Sequence, residues 1–260
     1  SSPSLENVTI VGNSANSDGG GLICRNSSMP ILVNVTISDN SASLHGGGIY
    51  SISSSPDFFN VIIRNNSAER GGGVYFDNSN SVISSTSIHN NTASLEGGGV
   101  YSRDYSIVEV TNGTFYGNTA VYGGAIFTEY NAETMIYNSI MYNDSPQELN
   151  ATYNADFTIS YSDIQGGQNG IFLSVGAVAN WLEGNINSDP LFTDPDNSDF
   201  TLQSTSPCID AGDPNSHMDP DSTLADMGAY YFNQADVDIV TVSPDSLDFG
   251  LGYDTLSFTI

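Results

Sequence analysis

The sequence contains no lysine and only four arginines, against 30 aspartates and glutamates. The arginines, Arg25, Arg64, Arg70 and Arg103, all lie in the first 103 residues. A formal net charge of −26 repels phosphate backbones and anionic membrane surfaces, which excludes nucleic-acid binding. Such acidity is typical of proteins that stay soluble in salt and of proteins that bind cations, and both interpretations stay open at this point.

Cysteines and long apolar runs are also scarce. Cys24 and Cys208 are too few for a disulfide framework, and we expect no bond between them because they lie near opposite ends of the chain. The longest apolar run, 170–182, is too short to cross a bilayer as a helix, which predicts no direct membrane insertion. The sequence starts without methionine, and we expect a piece of a longer protein whose signal or anchor lies elsewhere.

What the sequence has in abundance is an internal repeat. Segments such as NVTISDNSA and NVIIRNNSA recur every 25–27 residues, with units that start at residues 7, 34, 60, 85, 112 and 138. Each unit holds three short runs rich in β-branched and aromatic residues, without a helical spacing of apolar positions. The repeat therefore predicts an all-β fold, a parallel β-solenoid of about seven coils in which each strand pairs with its copy one coil later.

Glycines and asparagines recur at fixed places in the repeat. A glycine triplet or its equivalent precedes the second strand, at 19–21, 46–48, 71–73, 97–99 and 123–124. Glycine permits a positive φ and close backbone approach, so we assign the triplets to a sharp turn in each coil. An asparagine follows the first strand at one position of every unit, which predicts a ladder of stacked amides. The ladder is Asn13, Asn40, Asn66, Asn91 and Asn118, with Asp144 in the sixth unit.

The segment TFYGNTAVYGGAIF at 114–127 resembles the repeat of polymorphic outer-membrane proteins, through its FYGN and GGAI elements. Residues 1–190 are similar more broadly to secreted right-handed parallel β-helix proteins of bacterial surfaces. The segments at 157–167, 185–214 and 225–232 resemble the closing region of such proteins, which carry varied C-terminal anchors. The resemblance implies a right-handed β-helix and an extracellular or cell-surface location, and it supplies no catalytic residues.

The repeat ends before the chain does. We predict a β-helix domain over 1–235, in which residues 191–235 cap the open end of the stack and protect its strand edges. From 236 to 260 the alternating pattern of VDIVTVSPDSLDFG resembles a linker and the first strands of an immunoglobulin-like β-sandwich module.

Two functions are compatible with this architecture. One is a non-catalytic adhesin or stalk that binds a glycan or a partner surface, and rods of this kind can also self-assemble. Its contacts are expected in the row of variable loops beside the glycines, where Tyr122 lies; Tyr50, Tyr75 and Tyr101 are better explained as a stacked ladder. The alternative is a carbohydrate-active enzyme, a polysaccharide lyase or glycoside hydrolase of pectin-lyase-like fold. The absence of lysine and of regularly spaced histidines favours the first, and we predict no catalytic residues.

Aspartates concentrate beyond the repeats, where residues 189–260 hold 14 of them and no arginine or lysine. Alternating carboxylates in a loop are typical of calcium sites, because Ca²⁺ prefers hard oxygen ligands. The sequence therefore has two interpretations here: a Ca²⁺ site, or aspartates that cap backbone groups. The candidate Ca²⁺ ligands are Asp210, Asp213, Asp219, Asp221 and Asp226.

Overall fold

The computed structural model describes residues 2–234, which form a solenoid of about seven coils with almost no helix. Sheet 1 consists of Ser4–Glu6, Ile31–Val33, Asp57–Phe59, Asn80–Ser84, Ile107–Thr111, Glu133–Tyr137, Asp156–Ser160 and Val178–Trp181. Sheet 2 consists of Thr9–Val11, Thr36–Ser38, Ile62–Arg64, Ser87–His89, Thr114–Tyr116, Ile140–Tyr142 and Asp163–Ile164. All pairs within both sheets are parallel, which confirms the predicted solenoid.

Two further parallel sheets complete the coil. Sheet 3 is short and consists of Ser14–Ala15, Ser41–Ala42, Ser67–Arg70 and Thr92–Glu96. Sheet 4 consists of Leu22–Cys24, Ile49–Ile52, Val74–Asp77, Val100–Arg103, Ile126–Thr128, Leu149–Ala151 and Ile171–Leu173. Outside these sheets lie the 3-10 turns Gly167–Gly170 and Pro195–Asn197, and the antiparallel pair Phe192–Asp194 and Asp199–Leu202. Sheet 3 lies where the sequence indicated only a corner of the coil. Its strands have only two to five residues, which is why the sequence did not indicate them as strands.

One apolar core runs through the centre of the coils. The register aligns the middle residue of each strand of sheet 2 with its equivalents above and below, and most of these side chains are fully buried. At the two ends of the stack, core residues such as Ile10 and Trp181 are only partly buried. Burial of one such side chain contributes about 1.5–3 kcal/mol, so the stack gains stability with each added coil.

The predicted asparagine ladder is present. The side-chain Nδ2 of Asn66 donates to Oδ1 of Asn91 at 3.0 Å, and the backbone N–H of Asn66 donates to the same oxygen. The same pair of bonds joins every step from Asn13 to Asn118, and Asn118 donates to Asp144. The residue before each ladder position has the left-handed conformation, as at Asn65 (φ 55°). The ladder side chain must point inwards, so its neighbour makes the turn.

The glycine triplets act in both ways that the sequence predicts. The first glycine is left-handed, as at Gly97 (φ 66°). The second lies against the next coil: a Cβ on Gly98 would lie 2.6 Å from the backbone oxygens of Gly124 and Thr119. Close stacking of the coils therefore requires glycine at this place.

An aromatic ladder covers the outer face of sheet 4. Rings stack from Tyr50 through Tyr75 and Tyr101 to Phe127, with centroids 4.7–5.4 Å apart. Tyr75, Tyr101 and Phe127 are buried and Tyr50 is half-buried, so the ladder stabilises the coil, as predicted for the three tyrosines.

Cys24 and Cys208 are not bonded to each other, as expected, and both thiols are buried. Within the described residues no helix is long and apolar enough to cross a membrane. The predicted domain boundary after residue 235 and the immunoglobulin-like strands at 236–260 lie outside the described residues.

Candidate binding cleft

The C-terminal segment, residues 191–232, lies along the side of the solenoid. Phe200 packs against the rings of His89 and Tyr116 on the outer face of sheet 2, with centroids 4.9 and 5.3 Å away. The Tyr230 hydroxyl donates to Ser87 Oγ at 3.2 Å, and the Ala229 N–H donates to Thr114 Oγ1 at 2.9 Å. The structure therefore differs from the predicted cap, which was to close the open end of the stack.

The position of this segment has a physical cause. Ile140, at an outward position of sheet 2 in one of the later coils, forms a buried cluster with Phe192, Phe200 and Met227. Tyr116 and Tyr142 pack on the same cluster. Because exposure of these apolar side chains to water is unfavourable, the C-terminal segment packs on this outer face. An outward isoleucine in strand IMY was the sequence signal for such a contact.

A cleft of about 390 Å³ separates the C-terminal segment from the corner between sheets 1 and 2. The solenoid side contributes Ser84, Ser85, Thr111 and Asn112. The segment contributes Ser216, His217, Met218, Asp219, Pro220, Ala225, Asp226, Gly228, Ala229 and Tyr231. Its lining thus contains hydroxyl, amide and carboxylate groups beside the rings of His217 and Tyr231, and neither lysine nor arginine is among the lining residues.

Asp226 organises the floor of this cleft. It is 1% exposed, and its two carboxylate oxygens accept hydrogen bonds from the N–H groups of Asp210 and Phe232 at 2.7 and 2.6 Å. Its own N–H donates to Asp219 Oδ2 at 2.8 Å. Burial raises the pKa of Asp226 in spite of these bonds. Both oxygens of Asp226 are therefore committed to holding the loop.

Asp219 lies nearer to the solvent. Partial burial, together with the charges of Asp226, Asp221 and Asp210, raises the pKa of Asp219 to about 6. Its Oδ2 accepts the Asp226 N–H. Asp219 can therefore exchange a proton near neutral pH and can accept a further hydrogen bond from a ligand.

Four of the five aspartates predicted to bind calcium lie together. Asp221 accepts from the Gln234 N–H at 2.7 Å and from Thr223, and Asp210 accepts from the Gln234 side chain. Asp213 lies apart, where its Oδ1 accepts from Asn215. No group of three or more His, Cys, Asp or Glu side chains within residues 2–234 is arranged to hold a metal. The contacts match the backbone-capping interpretation, and Ca²⁺ binding at these aspartates stays a prediction.

The variable loops beside the glycines form a second surface. Bridges align His45 with Arg70, Arg70 with Glu96, and Glu96 with Tyr122, so the loops lie in a row as predicted. Arg70 Nε donates to Glu96 Oε2 at 2.6 Å, and Tyr122 is 50% exposed. The row of loops forms no enclosed cleft, and its charged side chains already form ion pairs with each other.

Of the residues that line the cleft, the sequence indicated only Asp219 and Asp226; those it did not indicate include Asn112, His217 and Tyr231. Asn112 lies in the repeated coils, whereas His217 and Tyr231 lie in the C-terminal segment, and no spacing relates them. Only the position of the C-terminal segment brings them together.

Comparison with known families agrees with this architecture. Residues 47–198 match the family model described as the right handed beta helix region. Residues 34–52 match the repeat of the Chlamydia polymorphic membrane protein, in a different coil from the 114–127 segment that showed the resemblance. These matches and the parallel solenoid confirm the resemblance to bacterial surface β-helix proteins. No curated protein and no solved structure matches the chain.

Proposed function

The chain belongs to the right-handed β-helix family, and we propose that it is a surface-displayed, non-catalytic rod that binds a neutral glycan in the cleft beside Tyr231. The match to the polymorphic membrane protein repeat supports display at a bacterial surface. The single observation that carries the glycan proposal is the lining of the cleft.

Sugar recognition needs groups that the cleft supplies. Hydroxyls of Ser84, Ser85 and Thr111 and the Asn112 side chain can donate and accept hydrogen bonds, as sugar hydroxyls do. Tyr231 is 41% exposed and offers an aromatic surface at the same place. The volume of about 390 Å³ falls within the usual range for small-molecule sites.

Charge selects among glycans. Residues 104–234 contain no lysine or arginine, and the cleft contains Asp219 and Asp226. An acidic polysaccharide would meet repulsion without a compensating cation. The proposed ligand is therefore a neutral oligosaccharide, not a polyuronate.

The experiment is a glycan array probed with the chain and with two matched aromatic variants, Tyr231→Ala and Tyr122→Ala. We expect binding to neutral glycans that falls at least about tenfold in Tyr231→Ala, equivalent to about 1.4 kcal/mol, and persists in Tyr122→Ala. Loss of binding in Tyr122→Ala alone would move the site to the loop row, and binding restricted to uronates would contradict the proposal. Unchanged melting temperatures keep both variants interpretable.

The enzyme alternative has one supporting observation, the raised pKa of Asp219 in the cleft. Hydrolysis of a glycosidic bond ordinarily needs two carboxyl groups on either side of it. Asp226 is buried and both its oxygens accept backbone N–H groups, so the cleft favours binding over hydrolysis. Release of reducing ends from the bound glycan, abolished in Asp219→Asn, would establish the alternative instead.

A further inference from the structure

The asparagine ladder ends at a group of buried oxygens that lack partners. Asp144 is 7% exposed and Glu148 is 3% exposed. Within residues 2–234, no hydrogen-bond partner is found for Asp144 Oδ2, Gln147 Oε1 or Glu148 Oε2. Unpaired buried acceptors are costly, and three within five consecutive residues require a common explanation.

The carboxyl groups of Asp144 and Glu148 lie next to each other. The Asp144 N–H donates to Glu148 Oε1 at 3.2 Å, while Asp144 Oδ1 accepts both the backbone and the side-chain N–H of Asn118. The four ion pairs of the described chain join other residues, so neither carboxylate has a cationic side chain beside it. Two adjacent buried carboxylates without a counter-charge are unfavourable.

The register of the ladder adds an independent observation. At each earlier step from Asn40 onwards, the asparagine Nδ2 also donates to a backbone carbonyl in the sheet 2 strand of the preceding coil. The first of these bonds joins Asn40 to Ile10, and the last joins Asn118 to Ile88. The corresponding carbonyl for residue 144 is that of Phe115, one coil after Ile88. An ionised aspartate has an acceptor where the asparagines have this donor, so Asp144 does not supply the hydrogen bond that the earlier units make to this carbonyl.

A cation resolves all of these conflicts together. A single shared proton can join the two carboxyl groups, but it leaves Gln147 Oε1 without a partner. Ca²⁺ takes six to eight oxygen ligands from carboxylates, side-chain amides and backbone carbonyls. We propose that Asp144, Gln147, Glu148 and the Phe115 carbonyl bind Ca²⁺, which closes the asparagine ladder between the regular and the irregular coils.

The test uses the whole chain and compares melting in 10 mM CaCl₂, in 10 mM MgCl₂ and in chelator, at matched ionic strength. The diagnostic variant is Asp144→Asn, which keeps the oxygen that Asn118 uses and restores a donor towards Phe115. We expect Ca²⁺ to raise the melting temperature of the unmodified chain by about 5–10 °C when it exceeds its Kd about 100-fold. Asp144→Asn should lose most of that shift and should melt above the unmodified chain in chelator.

Two further variants keep the result specific. Glu148→Gln should also lose most of the shift, whereas Asp219→Ala combined with Asp221→Ala should keep it. Equal calcium shifts in Asp144→Asn and the unmodified chain would overturn the proposal. So would a chain that calcium does not stabilise but acidification does, because a shared proton would then hold the pair. Neither outcome bears on the glycan cleft, which is tested by Tyr231.

Discussion

The repeated coils and the segment that covers them satisfy their polar groups in different ways. In the coils a side chain bonds to its copy one unit away, as Asn66 does to Asn91, 25 residues later. In the covering segment, Tyr230 bonds to Ser87 at a separation of 143 residues, and Asp226 accepts from unlike backbone groups. A repeat specifies its own contacts because each coil meets a copy of the last. A non-repeating segment must instead pack on surfaces whose sequence differs from its own.

The largest expected effect concerns the stacking of the coils. Gly98→Ala places a Cβ 2.6 Å from two backbone oxygens of the next coil, which cannot move without separating the stack. We expect a loss of about 4 kcal/mol or more in the free energy of unfolding. Chemical denaturation measures it. Gly12→Asn is the matched control, since no atom lies within 4 Å of its Cβ position and asparagine takes the same conformation at Asn65 and Asn90. Equal losses would mean that close approach is not what the glycines provide.

The second prediction concerns the asparagine ladder. Asn91→Ala removes the acceptor of the Asn66 amides and the donor to Ile63 O and Asn118 Oδ1, all in the buried interior. At about 1–3 kcal/mol for each buried group left unsatisfied, we expect a loss of about 3 kcal/mol. Thermal melting measures it, with Ser94→Ala, whose side chain is exposed on the outside of sheet 3, as the control. Similar losses at both positions would contradict the assignment of inside and outside.

The third prediction tests the covering segment through pH. Burial beneath Phe200, and secondarily the charge of Arg64, lowers the pKa of His89 to about 4. In the unfolded chain His89 binds a proton below its ordinary pKa of about 6.5, whereas in the folded chain it stays neutral down to about pH 4. The free energy of unfolding therefore decreases as pH falls from 6.5 to 4. The loss reaches about 3 kcal/mol at the lower limit.

His89→Gln isolates this contribution from the carboxyl groups that titrate in the same range. As pH falls from 7 to 4, the free energy of unfolding of the unmodified chain should decrease relative to that of the variant. A difference that stays constant with pH would show that the segment does not bury His89 in solution.

The smallest expected effect is calcium binding by the C-terminal aspartates. Asp219 and Asp221 already accept backbone N–H groups, so little capacity is left for a metal. Measured in an Asp144→Asn background, any remaining calcium shift is expected to be about 1–2 °C, by mass action at a weak site. Asp219→Ala with Asp221→Ala should remove it. A shift that survives these changes would exclude Asp219 and Asp221 as its source.

Much of the architecture follows from patterns that the sequence displays. The 25–27-residue period predicts parallel pairing of each strand with its copy, and the fixed place of Asn40, Asn66 and Asn91 predicts their ladder. The short strands of sheet 3 escaped prediction because two residues such as Ser14–Ala15 carry no alternation. Asp144 stands where earlier units have asparagine, and its buried neighbour Glu148 stands where they have the small residues Gly99 and Ala125, which give no indication of a carboxyl pair.

The sequence by itself determined the solenoid, because a repeated unit has one partner that always fits, namely its own copy one coil later. The tertiary structure alone decided where residues 191–232 lie. Their apolar side chains can cover any exposed apolar face, and the outer face of sheet 2 around Ile140 becomes such a face only after the coils have stacked. The cleft that joins Asn112 to Asp219 and Tyr231 exists for the same reason. Residues without a common period meet only when two separately formed surfaces pack together.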